Sequence, residues 1–191
     1  MDAVKQIKGP VTVLDRADVD TDQIIPARYL KRVERTGFGQ FLFDEWRKDP
    51  SFDLPANPIL ATGPNFGSGS SREHAPWALQ DYGFQAIVSS SFADIFFSNC
   101  LKIGLLPVQL PEEEVRALMS IPPTHEAEVD LEALEVRFDG RTVPFHIEED
   151  RRHRLLNGLD DIALTLERDD EISAYERERE RQGPVTTALV A

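Results

Sequence analysis

The chain has 191 residues, of which 41% are hydrophobic and 29% are charged, a composition that suits one well-packed globular domain and is short for two. The formal net charge of −13 argues against nucleic acid or an anionic membrane surface as the main partner. The first residues do not have the pattern of a signal peptide, and no apolar run approaches the roughly 20 residues that cross a bilayer. We therefore expect a cytoplasmic protein without a membrane anchor.

The first third of the chain predicts a strand, a polar segment, a short helix and a loop. Apolar residues at 7–14 predict an opening strand that is interrupted at Gly9–Pro10, and the polar segment 15–23 follows. Residues 38–46 carry aromatic and aliphatic side chains at spacings that predict one face of a short helix. Segment 50–58 is rich in Pro, Asp and Asn, which indicates a loop.

The middle of the chain predicts alternating strands and helices. Strands are predicted at 59–62, 86–88 and 105–110, and helices at 72–82 and 92–102. This alternation is typical of β-α-β units, whose right-handed crossovers make neighbouring strands parallel. The sequence therefore predicts an α/β fold.

The last third predicts a further helix and a hairpin. Pro111 and the glutamates after it predict a helix start. Short strands are predicted at 127–131, 134–138 and 143–147, and Asp139–Gly140 between the last two is a strong hairpin signal. Residues 155–166 are predicted to be partly helical, with Asp160 as an N-cap. The charged tail, 167–191, is predicted to be helical or disordered.

A glycine- and serine-rich loop before the predicted helix at 72–82 is the most informative segment. Gly67 and Gly69 allow sharp bends and close approach of a ligand, and N–H groups at a helix start favour negative charge. Ser70 followed by Glu73 fits a capping box. Arg72 adds a planar fork that suits a carboxylate.

Two interpretations of this loop remain open on local grounds, a well-capped helix after a flexible turn and an anion-binding site. A phosphate-binding P-loop requires Lys where Ser70 stands. A hydrolase elbow of the form G-x-S-x-G is absent, because no glycine lies two residues after Ser68, Ser70 or Ser71. The local pattern thus supports an anion site without identifying the anion.

Several segments resemble the swivelling domain of the aconitase superfamily. They are Asp20–Pro26, Gly69–Ala75, Ala86–Val88, Ser91–Ala93, Asn99 and Gly104–Pro107. The fuller pattern is similar to the small-subunit family of 3-isopropylmalate dehydratases, through Leu30–Arg32, Thr36–Gly39, His74–Leu79 and Leu156–Asp161. Two positions differ from related patterns: Tyr29 stands where the family more often has Phe, and Ser68 where single-chain aconitases have an acidic residue.

The resemblance implies a single aconitase-type swivelling β/β/α domain over residues 1–166, with a mostly parallel or mixed central sheet and flanking helices. It also implies a hydro-lyase of leucine biosynthesis, which interconverts 2-isopropylmalate and 3-isopropylmalate through 2-isopropylmaleate. Ser70 matches the family's base, which acts as an alkoxide. Ser71 and Arg72 match residues that bind the substrate carboxylate, and Asp22 matches an active-site aspartate. The residues expected to support the loop are Thr21, Gly67, Gly69, Glu73 and His74.

Other polar residues keep more than one interpretation. Arg28 and Arg32 lie where the family varies with substrate, so one of them contacts the second carboxylate, or both are exposed arginines on a mobile loop at 27–39. For His74, about one turn into the predicted helix, we favour a structural role facing inward with a hydrogen-bonding partner. Surface or structural roles are predicted for the remaining histidines, His125, His146 and His153, and Cys100 is predicted to be a small core residue in a helix rather than a nucleophile.

The resemblance also implies a 4Fe-4S cluster, and this has a consequence for partners. Such a cluster normally needs three or four thiolates, whereas the chain has one cysteine. We therefore predict that this chain binds no metal and works with a large subunit that carries the cluster. The alternatives are a small subunit of homoaconitase or of a citramalate or methylmalate isomerase, and a non-catalytic metabolite-binding module with the same fold.

Overall fold

The computed structural model describes residues 1–31, 34 and 36–183, and within them the chain forms a mixed sheet of seven strands. The strands are β1 (Gln6–Leu14), β2 (Ile59–Thr62), β3 (Ala86–Ser89), β4 (Leu106–Gln109), β5 (Glu126–Asp130), β6 (Glu135–Phe138) and β7 (Arg141–Pro144). Their order across the sheet is β4-β3-β2-β1-β5-β6-β7. Strands β1 to β4 are parallel to one another and β5 to β7 are antiparallel, so the parallel β-α-β prediction is confirmed.

Helices flank the sheet. They are α1 (Thr21–Ile24), α2 (His74–Tyr82), α3 (Asp94–Ile103), α4 (Glu112–Met119), α5 (Glu149–Asn157), α6 (Asp161–Leu166) and α7 (Asp169–Gln182). Three short 3-10 turns lie at Ala27–Tyr29, Gly39–Phe41 and Trp46–Lys48. In the part of the chain that the structure describes, none of the helices combines the length and apolar character that crossing a bilayer requires.

Strand β1 joins the two halves of the sheet. Its C-terminal half pairs with β2 from Val11 to Leu14, and its N-terminal half pairs with β5 from Gln6 to Pro10. The strand is continuous through Gly9–Pro10, so the predicted interruption is wrong. The change of partner falls beside Pro10, the residue without a backbone N–H to donate.

Both faces of the parallel half are buried. Alternate residues of β2 enter different clusters: Ile59 and Ala61 pack with α4, α5 and the antiparallel strands, and Leu60 packs with α2 and α3. This two-sided burial explains why the parallel strands appear in the sequence as short continuous apolar runs. Cys100 is fully buried in the second cluster, where burial raises the pKa of its thiol.

The helix predicted at 38–46 is not present. The segment forms two 3-10 turns, and Phe38, Leu42 and Phe43 are fully buried. Phe43 has a left-handed φ of +49° and donates its N–H to the carbonyl of Ile24 at 2.9 Å, which breaks the helical hydrogen-bond pattern. The apolar spacing reflects docking onto the core rather than helical periodicity.

The C-terminal third follows its sequence signals closely. Asp139 and Gly140 both have positive φ, +46° and +76°, as the predicted hairpin turn requires. The Asp160 side chain accepts a hydrogen bond from the Ala163 N–H at 2.8 Å and caps α6 as predicted. The helix α7 occupies most of the charged tail, while the division of the chain at residue 166 stays a prediction.

Candidate active site

The loops that follow β1 and β2 meet at the carboxyl edge of the parallel strands, the edge where α/β sheets commonly bind ligands. We call residues 67–72 the serine loop. Its Gly67 N–H donates to the carbonyl of Val19 at 2.8 Å, and the Thr21 N–H donates to the carbonyl of Ser68 at 2.9 Å. Asp20 and Ser68 form a parallel bridge. The serine loop is thus fixed to the segment after β1 by main-chain hydrogen bonds.

The position of Ser70 is set by a buried threonine. The Thr21 side chain is 2% exposed, and its hydroxyl donates to the Ser70 carbonyl at 3.0 Å. Gly69 takes a left-handed φ of +88° immediately before, which favours glycine. Ser70 and Ser71 are both exposed, so the two serines stand on the surface while the backbone beneath them is held.

Gly67 has a packing role as well as a conformational one. Its φ is +79°, and a Cβ at this position would lie 2.1 Å from Cγ of Phe96. Phe96 comes from α3, is 2% exposed and packs edge to face on Phe66 with ring centroids 5.4 Å apart. The serine loop therefore lies directly against an aromatic side chain of the core.

Arg72 and Asp22 meet as a bidentate pair across these two loops. Both Asp22 oxygens accept hydrogen bonds from the Arg72 guanidinium, one of them from Nη2 at 2.9 Å. The Arg72 side chain is only 15% exposed, whereas that of Asp22 is 53% exposed. The pair fixes the plane of the guanidinium two residues after Ser70, and its remaining N–H groups can bind a further carboxylate.

The predicted capping box at Ser70 and Glu73 is not formed. The helix α2 begins at His74, with Glu73 as N-cap and no side-chain capping bond, so Arg72 also precedes the helix. The capping box is in α1 instead, where the Asp20 side chain accepts from the Gln23 N–H at 2.8 Å and the Asp20 N–H donates to the Gln23 side chain at 2.9 Å. The Asp-x-x-Gln spacing was a signal that sequence reasoning missed.

His74 is the first residue of α2, rather than one turn into it. Its ring packs against those of Phe38 and Trp77, with centroids 5.2 Å and 4.7 Å away, where a hydrogen-bonding partner is predicted from the sequence. Burial lowers the pKa of His74 below its ordinary value, while the Glu73 carboxylate opposes this shift and Arg72 adds to it. These contacts are of the kind that a structural residue makes.

Arg28 is one of the two arginines considered for contact with the second carboxylate of the substrate. Its guanidinium is instead engaged by acidic residues of the chain that follow it. It forms ion pairs with Asp44 and Glu45, the latter at 2.6 Å, and its guanidinium lies over the Tyr29 ring at 4.8 Å. These contacts of Arg28 are with residues other than those of the serine loop. Arg32 lies outside the described residues, and the mobility expected for 27–39 stays a prediction.

The chain's own residues do not fit an iron–sulfur cluster. Across residues 1–31, 34 and 36–183, no three His, Cys, Asp or Glu side chains converge into a group that could hold a metal ion. The single cysteine is buried, and burial raises the pKa of its thiol, which disfavours the thiolate that a cluster needs. His125, His146 and His153 are exposed, and two of them pair with acids, Asp139 and Glu167, in agreement with the surface roles predicted for them.

A mixed sheet with a serine-bearing loop at the carboxyl edge of its parallel strands defines a domain of the aconitase type. Residues 52–113 match the family model described as the aconitase C-terminal domain. Residues 161–185 match the model described as the C-terminal domain of the 3-isopropylmalate dehydratase small subunit. The predicted fold class is thereby confirmed.

Relatives and a solved structure show which family of aconitase-type domains this chain belongs to. A 3-isopropylmalate dehydratase small subunit of Rubrobacter xylanophilus is 50% identical and covers 96% of this chain and 98% of its own length. One from Streptomyces coelicolor is 52% identical over 99% of this chain and all of its own length. The crystal structure of a 3-isopropylmalate dehydratase from Methanocaldococcus jannaschii superposes with a TM-score of 0.70 at 26% identity, covering 89% of this chain and 99% of that one. The chain belongs to the family of 3-isopropylmalate dehydratase small subunits.

Proposed function

We propose that this chain supplies the base and a carboxylate-binding arginine to a cytoplasmic 3-isopropylmalate dehydratase, which interconverts 2-isopropylmalate and 3-isopropylmalate through 2-isopropylmaleate in leucine biosynthesis. The observation that carries the proposal is the exposed Ser70, held from below by Thr21 and flanked by the Arg72–Asp22 pair. Family membership supports the choice of substrate over homoaconitate or citramalate, because the relatives described above are 3-isopropylmalate dehydratase small subunits.

Ser70 removes a proton from the carbon next to a substrate carboxylate while the hydroxyl on the adjacent carbon leaves, so that the C=C bond of 2-isopropylmaleate forms and one water is released. A serine hydroxyl is a weak base in water, so its anion has to be stabilised by a nearby positive charge and by exclusion of solvent. The Arg72 guanidinium supplies the charge and, with Ser71, holds the carboxylate beside the acidic C–H. In the reverse direction the Ser70 hydroxyl returns the proton.

Asp22 and Thr21 position these groups. The Asp22 carboxylate fixes the plane of the Arg72 guanidinium through two hydrogen bonds, and it leaves the other N–H groups for the substrate. The Thr21 hydroxyl holds the Ser70 carbonyl, which orients the serine without occupying its side chain. A site assembled before the substrate arrives avoids ordering costs during the reaction.

The remaining parts of the site come from a larger partner in this proposal. The cluster that the resemblance implies belongs to that partner, because the residues of this chain do not fit it. Ser70 and Ser71 are exposed here, so a second surface has to cover them to exclude water. The chain purified alone is expected to show no isomerase activity and no absorbance from bound iron. Turnover by the chain alone would overturn this part.

The decisive variant is Ser70→Ala, assayed with the large subunit and isopropylmalate. Loss of a catalytic base is expected to lower turnover by about 10² to 10⁴-fold. The melting temperature should hardly change, because Ser70 is exposed and caps no helix. Ser51→Ala, in the exposed loop before β2, is the matched control and should keep full activity. An unchanged rate for Ser70→Ala would favour a non-catalytic module, and rates with homoaconitate, citrate and citraconate would test the related substrates.

A further inference from the structure

We propose that the large subunit docks on a surface that extends from Ser71 across α3 to α6, with Ile95 and Ile162 as its two apolar contact residues. This rests on the proposed function, because it takes the partner to be the subunit that completes the site. We call this the α3–α6 surface; it comprises Ser71, Glu73, Ile95, Asn99, Lys102 and Ile162.

Two adjoining clefts make the α3–α6 surface continuous with the serine loop. The first has a volume of about 470 Å³ and is lined by Ser71 and Ile95. The second has a volume of about 290 Å³ and is lined by Ile162. Three residues, Glu73, Asn99 and Lys102, line both clefts. A partner that covers Ser71 can therefore continue its contact along α3 to α6.

Exposed apolar side chains lie at both ends of this path. Among the described residues, large hydrophobic side chains are exposed at Val13, Ile95, Ile162, Leu166 and Tyr175. Ile95 is 54% exposed and Ile162 is 71% exposed, and each lines one of the two clefts. A single exposed isoleucine is ordinary. Two of them beside adjoining clefts, among charged residues, give two apolar contact points within a polar surface, a combination that suits a protein interface.

The helix α6 that carries Ile162 has no buried residue of its own, yet it is held in place. Arg154 of α5 binds the Asp161 carboxylate at 2.8 Å, and its Nη2 reaches the Lys102 carbonyl of α3 at 3.5 Å. The Asp160 side chain caps the helix. Since α6 is already ordered, a partner binding Ile162 pays little conformational entropy.

Charge and site geometry favour the large subunit over a second copy of this chain. The clefts carry exposed carboxylates at Glu73, Asp94 and Asp160, while Asp161 is paired with Arg154 and Lys102 lies alongside. The chain as a whole has a net charge of −13, which disfavours association with a second copy. A second copy would also cover Ser71 with a chain whose residues do not fit the cluster. We infer a partner surface of apolar side chains flanked by basic ones.

The test uses the full chain and the intact large subunit, with affinity measured by calorimetry. Ile95→Glu and Ile162→Glu each place a charge in the apolar part of the contact, and each is expected to weaken binding at least about tenfold. Val13→Glu is the matched control, since Val13 is 42% exposed and lines neither cleft; its affinity should be unchanged. Ile95→Ser and Ile162→Ser provide milder versions if a glutamate variant melts at a lower temperature.

Unchanged affinity in both isoleucine variants would overturn the proposal. So would a loss of self-association, seen by light scattering, with normal binding to the large subunit. Ser70→Ala separates this inference from the proposed function, because it should bind the large subunit normally. If Ser70→Ala keeps its turnover while the isoleucine variants lose affinity, the base assignment fails and the docking surface stands.

Discussion

The two halves of the sheet use arginine in different ways. In the antiparallel half, Arg137 on β6 forms ion pairs with carboxylates of the same and the neighbouring strand, at 2.6 Å, 3.2 Å and 3.0 Å; the partners are Glu128, Asp130 and Glu135. Hydrogen bonds to Glu135, Glu128 and Asp130 raise the pKa of Arg137. Its donors are therefore engaged by the chain's own acids.

In the parallel half, Arg72 has a single carboxylate partner, Asp22, and it stands beside two exposed serines. The guanidinium is oriented by that pair but not saturated by it. The difference indicates that charges in the antiparallel half serve the fold, whereas those at the carboxyl edge of the parallel half remain available to a ligand. Three comparisons between matched positions and one pH titration probe the site and the residues that support it.

Among these comparisons, the largest effect is expected from Arg72→Ala. Loss of a donor aimed at a reacting carboxylate lowers turnover of the reconstituted enzyme by about 10² to 10³-fold, and Arg72→Lys should recover little because an ammonium lacks the planar fork. Arg137→Ala is the counterpart and should leave turnover unchanged while lowering the melting temperature. Steady-state kinetics on both variants decide this, and a comparable loss of turnover in Arg137→Ala would remove the distinction between the halves.

The next largest effect is expected on stability, at two glycines with left-handed φ, Gly67 and Gly140. Gly67→Ala brings a Cβ to 2.1 Å from the Phe96 ring, so backbone strain and overpacking together should cost about 3 kcal/mol or more of unfolding free energy. Gly140 has no atom within 4 Å of the equivalent position, so Gly140→Ala should cost only about 1 to 2 kcal/mol from its φ. Urea unfolding measures both. Equal costs would show that Phe96 moves aside.

A smaller effect on stability is expected at two buried threonines, Thr21 and Thr62. Thr21→Val removes the hydroxyl that holds Ser70, and it should cost about 1 to 2 kcal/mol of stability together with part of the turnover. The Thr62 hydroxyl is buried and finds no hydrogen-bond partner among the residues that the structure describes, so Thr62→Val should raise stability by about 1 kcal/mol and leave turnover alone. Thermal melts and kinetics on the pair check this. Destabilisation by Thr62→Val would reveal a partner for that hydroxyl.

The smallest effect is a pH dependence at His74. Its pKa is lowered in the folded state, chiefly by burial, so the unfolded chain binds the proton more readily than the folded one. Stability from the neutral ring is therefore complete above the unfolded pKa of about 6.5 and declines as the pH falls through the folded value. NMR titration should show a histidine signal that titrates below 6.5 and is absent in His74→Gln. A His74 signal titrating above 6.5 would contradict this.

Much of the fold could be predicted because its signals are local. The strands β2 and β3 are buried on both faces, so they appear as apolar runs, and Asp139–Gly140 specifies its own turn. The fold of 38–46 could not be predicted in this way, since the Phe43 N–H bonds to Ile24, a residue well outside the local pattern. The start of α2 was misplaced because the serine loop is held by Thr21 rather than by its own side chains.

The candidate site could likewise be predicted only in part from the local sequence. The local sequence predicts an anion-binding loop with Ser70 and Arg72, but nothing near Arg72 in the sequence points to Asp22, which lies 50 residues away. Only the resemblance brought the two together before the structure did. The exposed Ile95 and Ile162 gave no signal at all, because an isoleucine in an amphipathic helix is normally predicted to face the core.

The change of partner along β1 sets the order in which the sheet closes during synthesis. The residues of β1, β2, β3 and β4 are all translated before β5, whose pairing covers the first five residues of β1. At about 5 to 20 residues per second, the nascent chain exposes that half-strand for roughly 5 to 20 seconds after β1 is made. A truncated product that stops before residue 126 keeps the serine loop but has an open strand edge, and such edges recruit other chains.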